Sequence, residues 1–237
     1  MNADGGSILS AQNLTIRFGG IAALADVTFD VAPGQITGLI GPNGAGKTTC
    51  FNCITRLYQP ASGTITFNGE DISRVPPHKV VERGIARTFQ NLELFGSMSV
   101  LDNVQVGARG GAPQAREMLD YVGLSEVANR PVRSLPFGAR KNVELARALA
   151  TKPRLLLLDE PAAGFGYEEI EVLGQTIKRI RRDFSTTILM VEHQMQLVMG
   201  ICDRIIVLCS GKKLADGDPA SIARNPEVVD AYLGGGC

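Results

Sequence analysis

The chain has 237 residues, 44% of them hydrophobic, and its 24 Lys plus Arg are balanced by 24 Asp plus Glu. That is enough apolar material for a large buried core, while the zero formal net charge provides no field to draw the chain onto nucleic acid or anionic lipid. No apolar run approaches the ~18 residues that a bilayer span requires, and the opening "MNADGGS" lacks a basic-then-apolar signal pattern, so a soluble protein that stays inside the cell is expected.

In chain order, "LTIRF" (14–18), "VTFDV" (27–31) and "TITFNG" (64–69) alternate apolar and polar residues and read as antiparallel strands. By contrast, "ITGLI" (36–40), "RLLLLD" (154–159), "TTILMV" (186–191) and "RIIVL" (204–208) are continuously apolar and separated by helical patterns, as buried parallel strands require. The core is therefore expected to be α/β. From 97 to 151 the pattern is helical, with a surface connection at "VGARGGAPQ", which predicts a helical arm. In its last helix Arg140, Glu144 and Arg147 form one polar face and Val143, Ala146 and Ala150 another side, so packing on one face is expected, with the N-terminus left free for chemistry. Near the end, Asp218 and Pro219 are placed as N-cap and first helical residue, and a turn at Asn225-Pro226 separates two short surface helices. With no internal repeat or low-complexity tract, residues 1–237 read as one domain.

The five cysteines, at 50, 53, 202, 209 and 237, are an odd number in a chain without a secretion signal, so reduced thiols are expected. Cys50 and Cys53 form a C-x-x-C on a predicted helix with no second pair and no nearby His, which reads as small buried residues one turn apart.

Two motifs carry chemistry. "GPNGAGKTT" (41–49) fits G-x-x-x-x-G-K-[ST] between an apolar strand and a helical run. Gly41, Gly44 and Gly46 allow the backbone from Gly41 through Pro42, Asn43 and Ala45 to curl its N–H groups around phosphates at a helix N-terminus. Lys47 supplies a charge to the β- and γ-phosphates, Thr48 a ligand to Mg²⁺ and Thr49 a donor to the α-phosphate. Asp159 and Glu160 close the four-leucine strand and put two carboxylates at the carboxyl end of a parallel sheet. Asp159 suits the Mg²⁺, and Glu160 suits orienting or deprotonating an attacking water. Three other residues are ambiguous alone: Gln90 reads as a surface amide, His193 as a structurally satisfied side chain and Phe18 as a core aromatic. Their order relative to the two motifs gives them a second reading.

That order (Phe18, "GPNGAGKTT", "TFQN" with Gln90, "SLPFGARKNVELARALA", "LLLLDEP", "VEHQM" with His193) resembles the ATP-binding subunits of ABC transporters over about residues 8–233. "LPFG" in place of LSGG, "DEPAAG", "VEHQMQLVMGICDRIIVL" and the "NPEVVDAYLG" ending resemble the LivG-type subunits of branched-chain amino acid importers. The resemblance implies a P-loop NTPase fold with a RecA-like parallel-sheet core, an antiparallel β subdomain and a helical subdomain at about 91–151. It also implies a second ATP-binding subunit, LivF-like or an identical copy, so that two ATPs are sandwiched with Mg²⁺. Two membrane permease subunits, fed by a periplasmic solute-binding protein, would complete the system on the cytoplasmic side of a bacterial inner membrane, and nucleic acid has no part in it.

By the same carry-over Phe18 stacks on adenine, Gln90 senses Mg²⁺ and water, and His193 binds the γ-phosphate. The turn and helix at 135–150 reach the partner's γ-phosphate. Pro136, Phe137 and Ala139 depart from the family pattern, which leaves Gly138 as the matching residue of that turn. After the acidic motif, Gly166 occupies the place of an Asp or Asn and Tyr167 follows it, a departure in the loop that meets the partner. Arg87 and residues 91–98 are the expected permease contact. Two rival classes share the phosphate loop. A DNA-handling ATPase would bring a coiled-coil insertion or a basic surplus, and a small-molecule kinase would leave "LPFGARKNVELARALA" without a purpose.

Overall fold

The computed structural model describes residues 6–233. "MNADG" and Cys237 lie outside the described residues. Among the described residues ten strands and nine α-helices follow in chain order: β1 (Leu9–Phe18), β2 (Ile21–Val31), β3 (Ile36–Ile40), α1 (Lys47–Ile54), β4 (Ser62–Phe67), β5 (Glu70–Asp71), α2 (Pro77–Val80) and β6 (Ile85–Arg87) come first. They are followed by α3 (Val100–Gln105), α4 (Gly111–Tyr121), α5 (Phe137–Leu149), β7 (Leu155–Asp159), α6 (Tyr167–Phe184), β8 (Thr187–Val191), α7 (Met195–Ile201), β9 (Arg204–Cys209), β10 (Lys212–Gly217), α8 (Pro219–Arg224) and α9 (Pro226–Leu233).

The strands make two sheets, one of order β2-β1-β4-β5 with antiparallel neighbours and one of order β10-β9-β3-β8-β7-β6. In the second, β9, β3, β8, β7 and β6 run parallel and β10 pairs antiparallel with β9. The four continuously apolar runs are the four central parallel strands, and each is apolar throughout because the sheet is covered on both faces. Alternation along β7 makes this explicit: Leu155 and Leu157 join the core between the two sheets, around Phe51 and Ile54 of α1, whereas Leu156 and Leu158 join the core under α5, α6 and α7. The strand β6 lies inside the run "IARTFQ", and β10 extends the sheet beyond the parallel strands that the sequence pattern shows.

Helices α3 to α5 lie between β6 and β7 in the chain and pack on one another through Val104, Leu119, Val143 and Leu149. Near the end, the Asp218 side chain accepts from the N–H groups of Ala220 and Ser221, and Pro219 opens α8, so the expected N-cap is formed.

Cys50, Cys53 and Cys202 are buried free thiols. Burial pushes the thiols up, Cys53 to about 11 and Cys202 to about 12, and Cys50 upward as well. All three should therefore resist a thiolate-directed reagent at pH 8 in the native protein and react on unfolding, as labelling followed by mass spectrometry would read. Cys209 is disulfide-bonded, which corrects the expectation that all the thiols are reduced.

Candidate functional site

The phosphate loop leaves β3 at Ile40 and enters α1 at Lys47. Two of its glycines are required by the surroundings. A Cβ on Gly41 would lie 2.1 Å from the Leu208 carbonyl oxygen of β9, and one on Gly46 would lie 2.6 Å from the Ala23 carbonyl oxygen of β2. No side chain caps α1, so its first N–H groups remain open donors where the helix dipole is positive. The Lys47 ammonium folds back over the loop and donates to the carbonyls of Gly41 (2.7 Å) and Pro42 (2.9 Å). Burial lowers its pKa, and the nearby Glu160 and Asp159 carboxylates act in the opposite direction. Asn43, Gly44 and Thr48 are exposed at the mouth, and Thr49 is half-buried.

Asp159 closes β7 with its side chain 1% exposed and pairs with the Arg87 guanidinium at 2.6 Å. Its other oxygen, Oδ1, is buried with no hydrogen-bond partner. Glu160 follows with φ +48°, a left-handed conformation that costs a non-glycine residue about 1–3 kcal/mol. The Glu160 N–H donates to the Val191 carbonyl at 2.9 Å, and the Glu160 carbonyl accepts from Lys141 of α5 at 3.2 Å. This backbone turn takes the Glu160 carboxylate out of the strand direction. There Gln90 Nε2 donates to Oε2 at 2.8 Å, and His193 Nδ1 stands 3.8 Å from the same oxygen. Three residues scattered over about a hundred positions of sequence, two of them ambiguous when taken singly, thus meet at one carboxylate oxygen.

Glu192 was not singled out in the sequence. It is fully buried and accepts from the N–H groups of Ala162 (2.8 Å), His193 (2.8 Å) and Gln194 (2.9 Å), so it ties the turn after β7 to the turn after β8. The only local signal is an acidic residue immediately after a strand that is apolar throughout. Glu192→Ala should destabilise the protein by at least ~1–3 kcal/mol, the cost of orphaning a buried donor. For a domain of this size each kcal/mol moves the melting temperature by about 2–4 °C, so a melt within 1 °C of the wild type would remove this role.

The 136–139 turn lies apart from its own phosphate loop: among the described residues no hydrogen bond or ion pair joins it to residues 41–49. Pro136 stands at the N-cap of α5 without a side-chain cap, and Gly138 faces the Phe165 ring with room for a Cβ at 3.6 Å. Phe137 packs against Gly164 and lies within cation–π range of Lys141 at 5.5 Å. A groove of about 550 Å³ opens beside this turn, lined among others by Pro136, Gly138, Asn142, Phe165 and Val172. At the head of α6, the Gly166 N–H donates to Glu169, and Tyr167 is exposed.

Two expectations need correction. The polar face of α5 is not turned to solvent. Glu144 is buried and accepts from the Phe89 N–H at 3.1 Å, and Arg147 donates to the Glu93 carbonyl at 2.6 Å. Burial raises the Glu144 pKa, and α5 therefore packs on two sides, gripping the segment around Gln90 at both ends. Arg87, expected at a partner surface, points inward, with its side chain 5% exposed and held by Asp159 and Asn52. Most of the rest of that expected surface is open, with Phe95 and Met98 exposed, while Leu94 packs against the core. Phe18 is exposed too, at the end of β1, with its ring edge-on to Tyr58 at 5.2 Å.

Residues 24–163 match the ABC transporter family model, and residues 212–237 match a model described as "Branched-chain amino acid ATP-binding cassette transporter". The chain is 41% identical to the high-affinity branched-chain amino acid transport ATP-binding proteins BraF of Pseudomonas aeruginosa and LivG of Escherichia coli, covering 96% of this chain and 98% of each relative. Its fold is similar to the ADP conformation of an ATP-binding cassette of an ABC transporter, with a TM-score of 0.90 and 29% identity over 97% of this chain and 99% of that one. A nucleotide-free cassette matches with a TM-score of 0.89, 29% identity and coverage of 97% and 100%.

Proposed function

This chain belongs to the ATP-binding subunits of ABC transporters, and we propose that within this ATPase family it powers an importer of branched-chain amino acids or a related small polar solute. The solute class is supported by the likeness to the BraF and LivG proteins, and the observation that carries the ATPase chemistry is the meeting of Gln90, Glu160 and His193 near a phosphate loop whose Lys47 is electrostatically coupled to Asp159 and Glu160. Backbone N–H groups of the loop between Asn43 and Lys47 and the head of α1 receive the phosphates. On binding, Lys47 exchanges its two loop carbonyls for phosphate oxygens. Phe18 offers its exposed face to adenine. Glu160 accepts the proton of the attacking water, Gln90 holds the carboxylate in place, and His193 donates to the γ-phosphate.

A divalent cation such as Mg²⁺ fits the acidic end of β7. Asp159 Oδ1 is a buried carboxylate oxygen without a partner, and Thr48 offers an exposed hydroxyl at the head of α1. Among the described residues no group of three or more His, Cys, Asp or Glu could hold a metal. The ion would accordingly take few protein ligands and complete its shell with phosphate oxygens and water, as Mg²⁺ does. Its chemistry there is to neutralise the charge that builds on the phosphates during transfer.

Residues 1–237 then act as one ATP-binding domain with a helical arm at about 91–151. The arm carries the 136–139 turn to the ATP of a second cassette, LivF-like or identical, where the Gly138 backbone and the head of α5 meet the γ-phosphate. No helix among the described residues is long and apolar enough to cross a membrane. Energy would therefore pass to separate permease subunits on the cytoplasmic face, with a periplasmic binding protein supplying solute on the other side. The exposed 91–98 segment, with Phe95 and Met98, is the surface offered to the permease. The test compares ATP hydrolysis with permease-containing membranes, with DNA and with a phosphate acceptor. Stimulation by the membranes alone is expected, and stimulation by DNA or by the acceptor would overturn the proposal.

A further inference from the structure

Arg87 is a heavily engaged cation, yet no step above uses it. Its Nη2 donates to Asp159 Oδ2 at 2.6 Å, and its Nη1 donates to Asn52 Oδ1 at 2.7 Å and Thr55 Oγ1 at 3.2 Å, both on α1. The guanidinium lies between the Phe51 ring (5.5 Å) and the Phe89 ring (4.8 Å), the latter next to Gln90. One planar group therefore joins the helix below the phosphate loop, the acidic end of β7 and the segment that delivers Gln90. The β6–β7 register sets this up by pairing Arg87 with Leu157, two residues before Asp159.

A carboxylate with both oxygens free can rotate about its last bond. With Oδ2 engaged in a charge-assisted bond to a guanidinium that is itself clamped at its other end, that freedom is lost, and the carboxylate's other oxygen, Oδ1, is left buried without a partner. A fork is needed for this, because a lysine ammonium is a single point and cannot span Asn52 and Asp159 in the same geometry.

We infer that Arg87 is a positioning residue for the divalent cation: it holds Oδ2 of Asp159 so that Oδ1 is presented to the Mg²⁺ that accompanies ATP. The inference rests on the ATPase reading above. Groups that orient a metal ligand typically govern metal affinity by about 10–100-fold. The test titrates free Mg²⁺ against the affinity of the whole chain for a fluorescent ATP analogue, with an EDTA baseline, for the wild type and for Arg87→Gln. The Mg²⁺ concentration giving the half-maximal gain in affinity should rise by about tenfold or more in the variant, with the EDTA baseline unchanged. Arg87→Lys, which keeps the charge and loses the fork, should fall between the two and is read alone if Arg87→Gln does not fold. A variant with a lowered melting temperature and the wild-type Mg²⁺ midpoint would make Arg87 a structural strut and overturn the inference. A wild type with no Mg²⁺-dependent gain at all would instead bring down the ATPase reading itself.

Discussion

Glu160→Gln is expected to lower the turnover number by about 10²–10⁴-fold, the range a positioned general base contributes, while ATP binding stays close to wild type. The separation of the two effects follows from the local geometry. The contacts proposed for the phosphates and the cation lie on residues 41–49 and Asp159, and the hydrogen bonds that hold Lys47 and Asp159 involve no atom of the Glu160 carboxylate. An amide is nearly isosteric and keeps the Gln90 contact by accepting from Gln90 Nε2 through its Oε1, but it cannot accept a proton from water. Glu160 also adopts its left-handed backbone through the Val191 and Lys141 bonds, which are main-chain contacts that the substitution leaves in place. Single-turnover hydrolysis within threefold of the wild type would remove Glu160 from the water-activating role.

Gly138→Asp is the second large effect expected, and it separates the two nucleotide sites. A Cβ at Gly138 meets only the Phe165 ring, at ordinary van der Waals distance, so the fold should survive. The new carboxylate would sit at the head of α5, where the proposal places the partner's γ-phosphate. Replacing a favourable donor field with a like charge should cost about 10²–10³-fold in the ATPase rate of the assembled transporter. The isolated chain should bind ATP as before, because its own phosphate loop shares no hydrogen bond or ion pair with this turn among the described residues. Equal loss of ATP affinity in the isolated variant would mean that the turn serves its own site, and a full rate in the assembled complex would mean that it serves neither.

Both experiments bear on a coupling visible in α5. The helix that carries the 136–139 turn at its head is fastened to its own site at Lys141, through the Glu160 carbonyl, and at Glu144 and Arg147, through the Phe89 N–H and the Glu93 carbonyl. A displacement of the Gln90 segment would reach the 136–139 turn through these contacts between packed elements.

Much of this was legible without coordinates. The phosphate loop, the acidic strand end, the four parallel strands and the Asp218 cap are each specified by residues close together in the chain: a glycine-lysine spacing, a run of leucines, an N-cap before proline. Such signals follow from backbone sterics and side-chain periodicity, which act over a few residues. The tertiary structure alone decided which side chains meet. Arg87 turned inward because the β6–β7 register sets it beside Asp159. Glu144, polar on a helical wheel, is buried because the Gln90 segment packs over it and supplies an N–H. Glu192 became visible only when two turns thirty residues apart closed on its carboxylate. In each case a distant part of the chain provides a partner that helps to offset the desolvation of the buried charge, and sequence neighbours carry no record of that partner.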